Sequence, residues 1–197
     1  MERIEDERLL FFIEHADQIR QWAALEDELQ ALTDRFLRDM ATRWGEQQPD
    51  LDNAVLAVSL DGSWPGVQLH RPEWAHQERP LAAVCLEWHT KRVGLDPDTA
   101  PHIGVRVTLE ADGATDLRQR LREALTEHRR EVGGDSNRHW PVLRRVAPDS
   151  DDPGDLASFE AKLWNALEQE WLNTATQIDQ VLAHEAAPGP SPSQHSE

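Results

Sequence analysis

Cys85, Glu87 and His89 stand at two-residue spacing in Leu81–His89 (LAAVCLEWH). On a strand, alternate side chains share a face and start about 6.6 Å apart, so these three could meet on zinc if His70, His76 or His102 supplied a fourth ligand. A solvent-facing polar strand face is the simpler account, and no metal or cofactor is expected. Cys85 is the only cysteine, and mid-strand it reads as a small hydrophobe rather than a nucleophile. The nine histidines are scattered, with no His-Glu-x-x-His or His-x-His pair. Gly133-Gly134 lacks the Lys-Ser/Thr of a phosphate loop, and no serine sits in Gly-x-Ser-x-Gly. No catalytic residue is assigned.

Two other residue types stand out. Arg118, Arg122 and Arg129 fall near one helical face at spacings of 4 and 7, which would suit an anion or phosphate site. Internal pairing with Glu123, Glu127, Glu131 and the acidic terminal helices is the favoured account of them. There are eight tryptophans. Trp22, Trp44 and Trp171 lie on apolar helical stripes and read as core, as does Trp88 on its strand. Trp64, Trp74 and Trp140 lie in or beside loops, where tryptophan serves as an interface anchor or ligand platform. They are the expected binding residues.

The chain has 197 residues and a net charge of −17. That length supports one substantial core, and the composition is that of a folded protein. The charge is uneven: residues 114–147 carry 8 arginines against 5 acids, and from 148 onward 10 acids face a single lysine. So acidic a chain is not expected to bind nucleic acid directly. No apolar run is long enough to span a membrane. An acidic N-terminus and a lone cysteine point to the cytoplasm.

The elements that must position these residues follow from periodicity. Trp22, Leu25, Leu29, Leu32, Phe36, Met40 and Trp44 recur at spacings of 3 and 4, an amphipathic helix that Gly45 and Pro49 should stop. Leu9, Phe12, Ile13, Ala16 and Ile19 form a second stripe out of register with it, which predicts a break near His15–Gln18. Three heptads are too few for a free-standing coiled coil, so the helix is expected to pack on its own domain.

Asn53–Leu60, Gly66–His70, Leu81–His89 and His102–Leu109 read as strands joined without helices, hence an antiparallel meander. In the third, Val84, Leu86 and Trp88 should face the core and Cys85, Glu87 and His89 water. Thr115 or Asp116 should cap a helix ended by Gly133-Gly134, and His139–Val146 could return as an edge strand. Asp155 caps a last helix. The expected fold is α+β, a four- or five-stranded antiparallel sheet covered by long N- and C-terminal helices. It is organised as a single domain over 1–186: a helical arm (1–48), the sheet with one helix (53–147) and the terminal helix (155–186). A disordered tail (187–197) follows.

Ser63-Trp64-Pro65-Gly66-Val67-Gln68-Leu69, Arg71-Pro72-Glu73-Trp74, Leu86-Glu87-Trp88 and Ile103-Gly104-Val105-Arg106 recur in order along the middle of the chain. Over roughly residues 55–145 this pattern resembles a β-region that follows the catalytic core in some PD-(D/E)XK-type bacterial defence nucleases. The only acid-x-Lys, Glu160-Ala161-Lys162, falls on a helix after the sheet and does not match the nuclease motif. The resemblance therefore implies an accessory or recognition part without cutting residues.

The expected function is a non-catalytic interaction or regulatory subunit of a bacterial cytoplasmic system, with a link to antiviral defence through the resemblance. Its partner would be another protein or a second copy, engaged through the helices or the loop tryptophans. One alternative is an acidic DNA mimic presenting Glu160, Glu168, Glu170 and Asp179. Another is a divergent nuclease or metal-dependent hydrolase using Glu87 and His89.

Overall fold

The short Val- and Leu-rich segments pair as an antiparallel meander in the computed structural model, which describes residues 6–47, 50–76, 79–108 and 114–186. The expected tail at 187–197 lies outside them. Two helices come first, α1 (Glu7–Glu14) and α2 (Ala16–Gln47). Strands β1 (Val55–Ser59) and β2 (Gly66–His70) follow, then a short ladder of β3 (Ala75–His76) with β4 (Arg79–Pro80). Next come β5 (Ala82–Glu87) and β6 (His102–Val107), helices α3 (Ala114–Ala124) and α4 (Thr126–Glu131), strand β7 (Val142–Arg145) and helix α5 (Leu156–Ala186). The main sheet runs β1-β2-β5-β6-β7 with every neighbour antiparallel. The fold is α+β, with helices flanking the sheet in sequence at both ends.

One face of the sheet carries the core. Val67, Leu69, Val84, Leu86, Ile103, Val105 and Val142 are fully buried there. Over them lie Leu37, Met40, Ala41 and Trp44 of α2, Leu117 and Leu121 of α3, and the α5 stripe Phe159, Leu163, Leu167, Trp171 and Ile178. Burying a large aliphatic side chain is worth about 1.5–3 kcal/mol. Three buried indoles also tie the helices to one another and to the strands and loops. Trp88 donates to Asp34 at 2.7 Å, Trp74 to Asp179 at 2.6 Å and Trp44 to Glu160 at 3.2 Å. Asp155 caps α5 by accepting the backbone N–H groups of Ala157 and Ser158.

Several expectations are corrected. Gly45 lies inside α2 rather than ending it, because a Cβ there would meet Val58 Cγ2 at 2.9 Å; it is a packing glycine between helix and sheet. Pro49 lies outside the described residues. α3 begins at Ala114, ahead of the expected cap at Thr115 or Asp116, and the single expected helix splits at Leu125. There the Thr126 hydroxyl bonds the Arg122 carbonyl. The largest correction concerns the N-terminal arm. α1 and α2 do break at His15, but the buried residues of α2 begin only at Thr33, after a first contact where Gln30 Nε2 donates to the Thr90 carbonyl at 2.9 Å. Trp22, expected in the core, is 62% exposed and Leu25 is 60% exposed, with Leu29, Leu32 and all of Leu9–Ile13 exposed as well.

Candidate functional site

The second face of the sheet is set by β5, β6 and β7. Alternation on β5 turns Ala83, Cys85 and Glu87 away from the core, and the register places Cys85 beside Gly104 and Leu143, and Glu87 beside His102 and Arg145. This face was expected to meet water. Instead Cys85 is completely enclosed and Glu87 nearly so, because the 135–141 loop folds back over it. Asp135 bridges to Leu143, and Asn137 Oδ1 accepts the backbone N–H groups of His139 at 2.9 Å and Trp140 at 3.2 Å. Trp140 is left only 8% exposed, closing over Ala83 and Cys85.

Arginines fasten that loop. Arg122 Nη2 donates to the Asn137 carbonyl at 2.8 Å and Arg129 Nη1 to the Pro141 carbonyl at 3.4 Å. The expected pairing partners Glu123, Glu127 and Glu131 are not what these two guanidiniums hold. Arg118 is half-buried one turn before Arg122 on α3. The arginine face thus buttresses the loop.

A cleft of about 700 Å³ opens between this loop and the β1–β2 loop. Trp64 stands at one side, 49% exposed, its ring 4.8 Å edge-on to His89 and 5.9 Å from His102. Trp140 lies at the other side with Arg106 at 6.0 Å from its ring. Arg106 Nη1 also donates to Glu87. Burial pushes the Glu87 carboxyl up, and the Arg106 charge and hydrogen bond oppose that. His102 is pushed down to about 4, first by burial and then by the Arg145 charge, so it is neutral at pH 7. Burial raises the Cys85 thiol well above its ordinary range, with the Glu87 charge adding to it.

Of the three expected binding tryptophans, Trp64 and Trp140 come together at this cleft. Trp74 does not. It is 1% exposed and packs 5.2 Å from Trp171, so it belongs to the core; its flanks look like a loop, but the short 3-10 turn Pro72–Trp74 rolls its ring inward. The cleft residues that sequence reasoning did not bring together are Arg106, Arg138, Arg145 and His139. His102-x-Gly104-x-Arg106 alternates on one face and was open to reading, but the pairing of β5, β6 and β7 that assembles the row was not.

Among the described residues, no three His, Cys, Asp or Glu side chains gather as a metal set. Nor is any described helix long and apolar enough to cross a membrane. Set beside known protein families, curated proteins and solved structures, the chain matches none of them.

Proposed function

We propose that the chain is a non-catalytic interaction protein of the regulatory kind, and that it assembles with a second copy of itself through its helical arm. The observation that carries this reading is the uncovered stripe Trp22, Leu25, Leu29 and Leu32 on the free half of α2. Its 3- and 4-residue spacings are those of a helix seam. With Leu9–Ile13 it makes nine large apolar side chains left exposed, more than an isolated soluble surface ordinarily tolerates in one place. The arm is two helical pieces, α1 of about 12 Å and the stretch of α2 from Ala16 to Leu32 of about 25 Å, with the break at His15 between them. Paired along both, two arms would approach the ~800 Å² per partner found in stable interfaces. Cyclic pairs of identical chains are the commonest assemblies of soluble proteins.

The acidic-mimic alternative draws no support from the last helix. Glu160 is held by Arg43 at 2.5 Å, Glu170 is buried against His128 at 2.9 Å, and Asp179 accepts from Trp74 and pairs with Arg71 at 2.9 Å. Three of the four carboxylates named for a mimic are thus engaged by the protein's own side chains, with Glu170 alone fully buried.

Light scattering after size exclusion tests the reading, on the full chain and on a Trp22→Glu/Leu29→Glu variant. We expect twice the chain mass for the wild type, and a monomer that melts as the wild-type body does for the variant. A wild type that stays monomeric at concentrations on the order of 100 µM would overturn self-assembly and leave the arm to a foreign helix. A variant that still dimerises would overturn the seam.

A further inference from the structure

The cleft on the second sheet face differs in charge from everything around it. Arg106, Arg138 and Arg145 all line it, in a chain whose net charge is −17. Among the described residues that line it Glu87 is the one acid, and it is committed to Arg106. The lining His102 is neutral at pH 7. The cleft is therefore locally cationic, and a concave cationic surface concentrates small anions.

Its arginines are set in place without being used up. Arg138 Nε donates to His139 Nε2 at 2.8 Å, Arg145 Nη1 to the Asp98 carbonyl, and Arg106 Nη1 to Glu87. A guanidinium has five N–H donors, so each of the three, held by one acceptor among the described residues, keeps donors in hand. Among those residues the buried Arg106 Nε has no hydrogen-bond partner. Planar N–H forks held in this way match the oxygens of a phosphate or carboxylate.

The walls add a second requirement. Trp64 lines the cleft and is 49% exposed, and its ring contacts are the edge-on His89 and the tilted His102. An indole face left open in a cleft is a stacking platform for another flat ring. A volume of about 700 Å³ is within the range of small-molecule sites and too confined for a duplex.

We propose that this cleft binds a small aromatic anion of nucleoside-monophosphate kind, with the ring stacked on Trp64 and the phosphate held by Arg138 and Arg145. None of these residues lies on the helical arm, so the inference stands apart from self-assembly.

Calorimetric titration of the full chain at low salt tests it, with adenosine, guanosine, cytidine and uridine 5′-monophosphates as probes and with adenosine and inorganic phosphate as half-ligands. At least one monophosphate is expected to bind with a dissociation constant on the order of 100 µM or tighter, and each half-ligand about tenfold or more weaker. Trp64→Ala and Arg138→Ala should each weaken the monophosphate about tenfold. Both side chains are exposed, so their melting temperatures should stay at the wild-type value and affinity becomes the only readout. Silence of all four monophosphates at millimolar concentration would overturn the proposal. So would wild-type affinity in both variants, or inorganic phosphate binding as tightly as the nucleotide.

Discussion

Trp74 and Trp64 are two residues of the same kind in similar sequence surroundings with opposite duties. Trp74 gives its indole N–H to Asp179 at 2.6 Å and stacks near Trp171, whereas Trp64 stands half out of the surface. Trp74→Ala should lower stability by about 3–5 kcal/mol, the usual result of hollowing out a buried aromatic. Trp64→Ala should fall within about 0.5 kcal/mol of wild type. Denaturant titration of both variants checks the contrast, and equal losses would contradict it. His102 gives a pH signature. Its folded pKa of about 4 lies below the ordinary 6.5, so the unfolded chain takes up a proton first as the solution is acidified. The stability this contributes is complete above pH 6.5 and drains away as pH falls from 6.5 through 4. His102→Gln should flatten that part of the stability profile. His70 is also pushed down by burial and contributes a slope of the same sign, so the comparison is between variant and wild type across the window. A profile unchanged by the substitution would refute the assignment.

At the scale of elements, periodicity shows which segments are helix and which are strand, and it does so well here. The break at His15, the four central strands, the edge strand around Val142 and the Asp155 cap are each legible from spacing and turn chemistry. It does not show what covers an apolar stripe. One unbroken pattern from Trp22 to Trp44 is core at its end and open at its start, because the sheet is too short to lie under a 32-residue helix. A strand rises about 3.3 Å per residue, so five or six residues span less than 20 Å. The helix, at 1.5 Å per residue, runs to roughly 48 Å. The site was half legible for a similar reason. Trp64 and Trp140 declare themselves as large apolar groups in polar stretches. Arg106, Arg138 and Arg145 become a group only through strand register and a loop that folds back, and neither leaves a mark in local sequence. Gly45 misleads in the other direction, since a glycine near a helix end reads as a stop when it is in fact the point of closest approach to Val58.

The two proposed surfaces lie at different places on one molecule, and their electrostatics have opposite sign. Between residues 6 and 32 the arm carries seven acids against two arginines, so two arms meeting along an apolar seam bring like charges together on top of the repulsion between two bodies of −17 each. The cleft is cationic and would receive an anion. Added salt shortens the Debye length from about 30 Å at 0.01 M to about 8 Å at 0.15 M. It should therefore relieve the repulsion between arms and, in the same range, weaken the attraction in the cleft. Self-association measured by sedimentation should tighten as sodium chloride rises from about 0.01 to 0.15 M, while the dissociation constant of the monophosphate should rise. A basic helix from a foreign partner on the same arm would loosen with salt instead, so the sign identifies the occupant as well as the force. If self-association weakened with salt, the seam would have to be held by arginine–carboxylate pairs such as Arg8 or Arg20 with the Glu26–Glu28 run. The apolar stripe would then be no more than the floor beneath them.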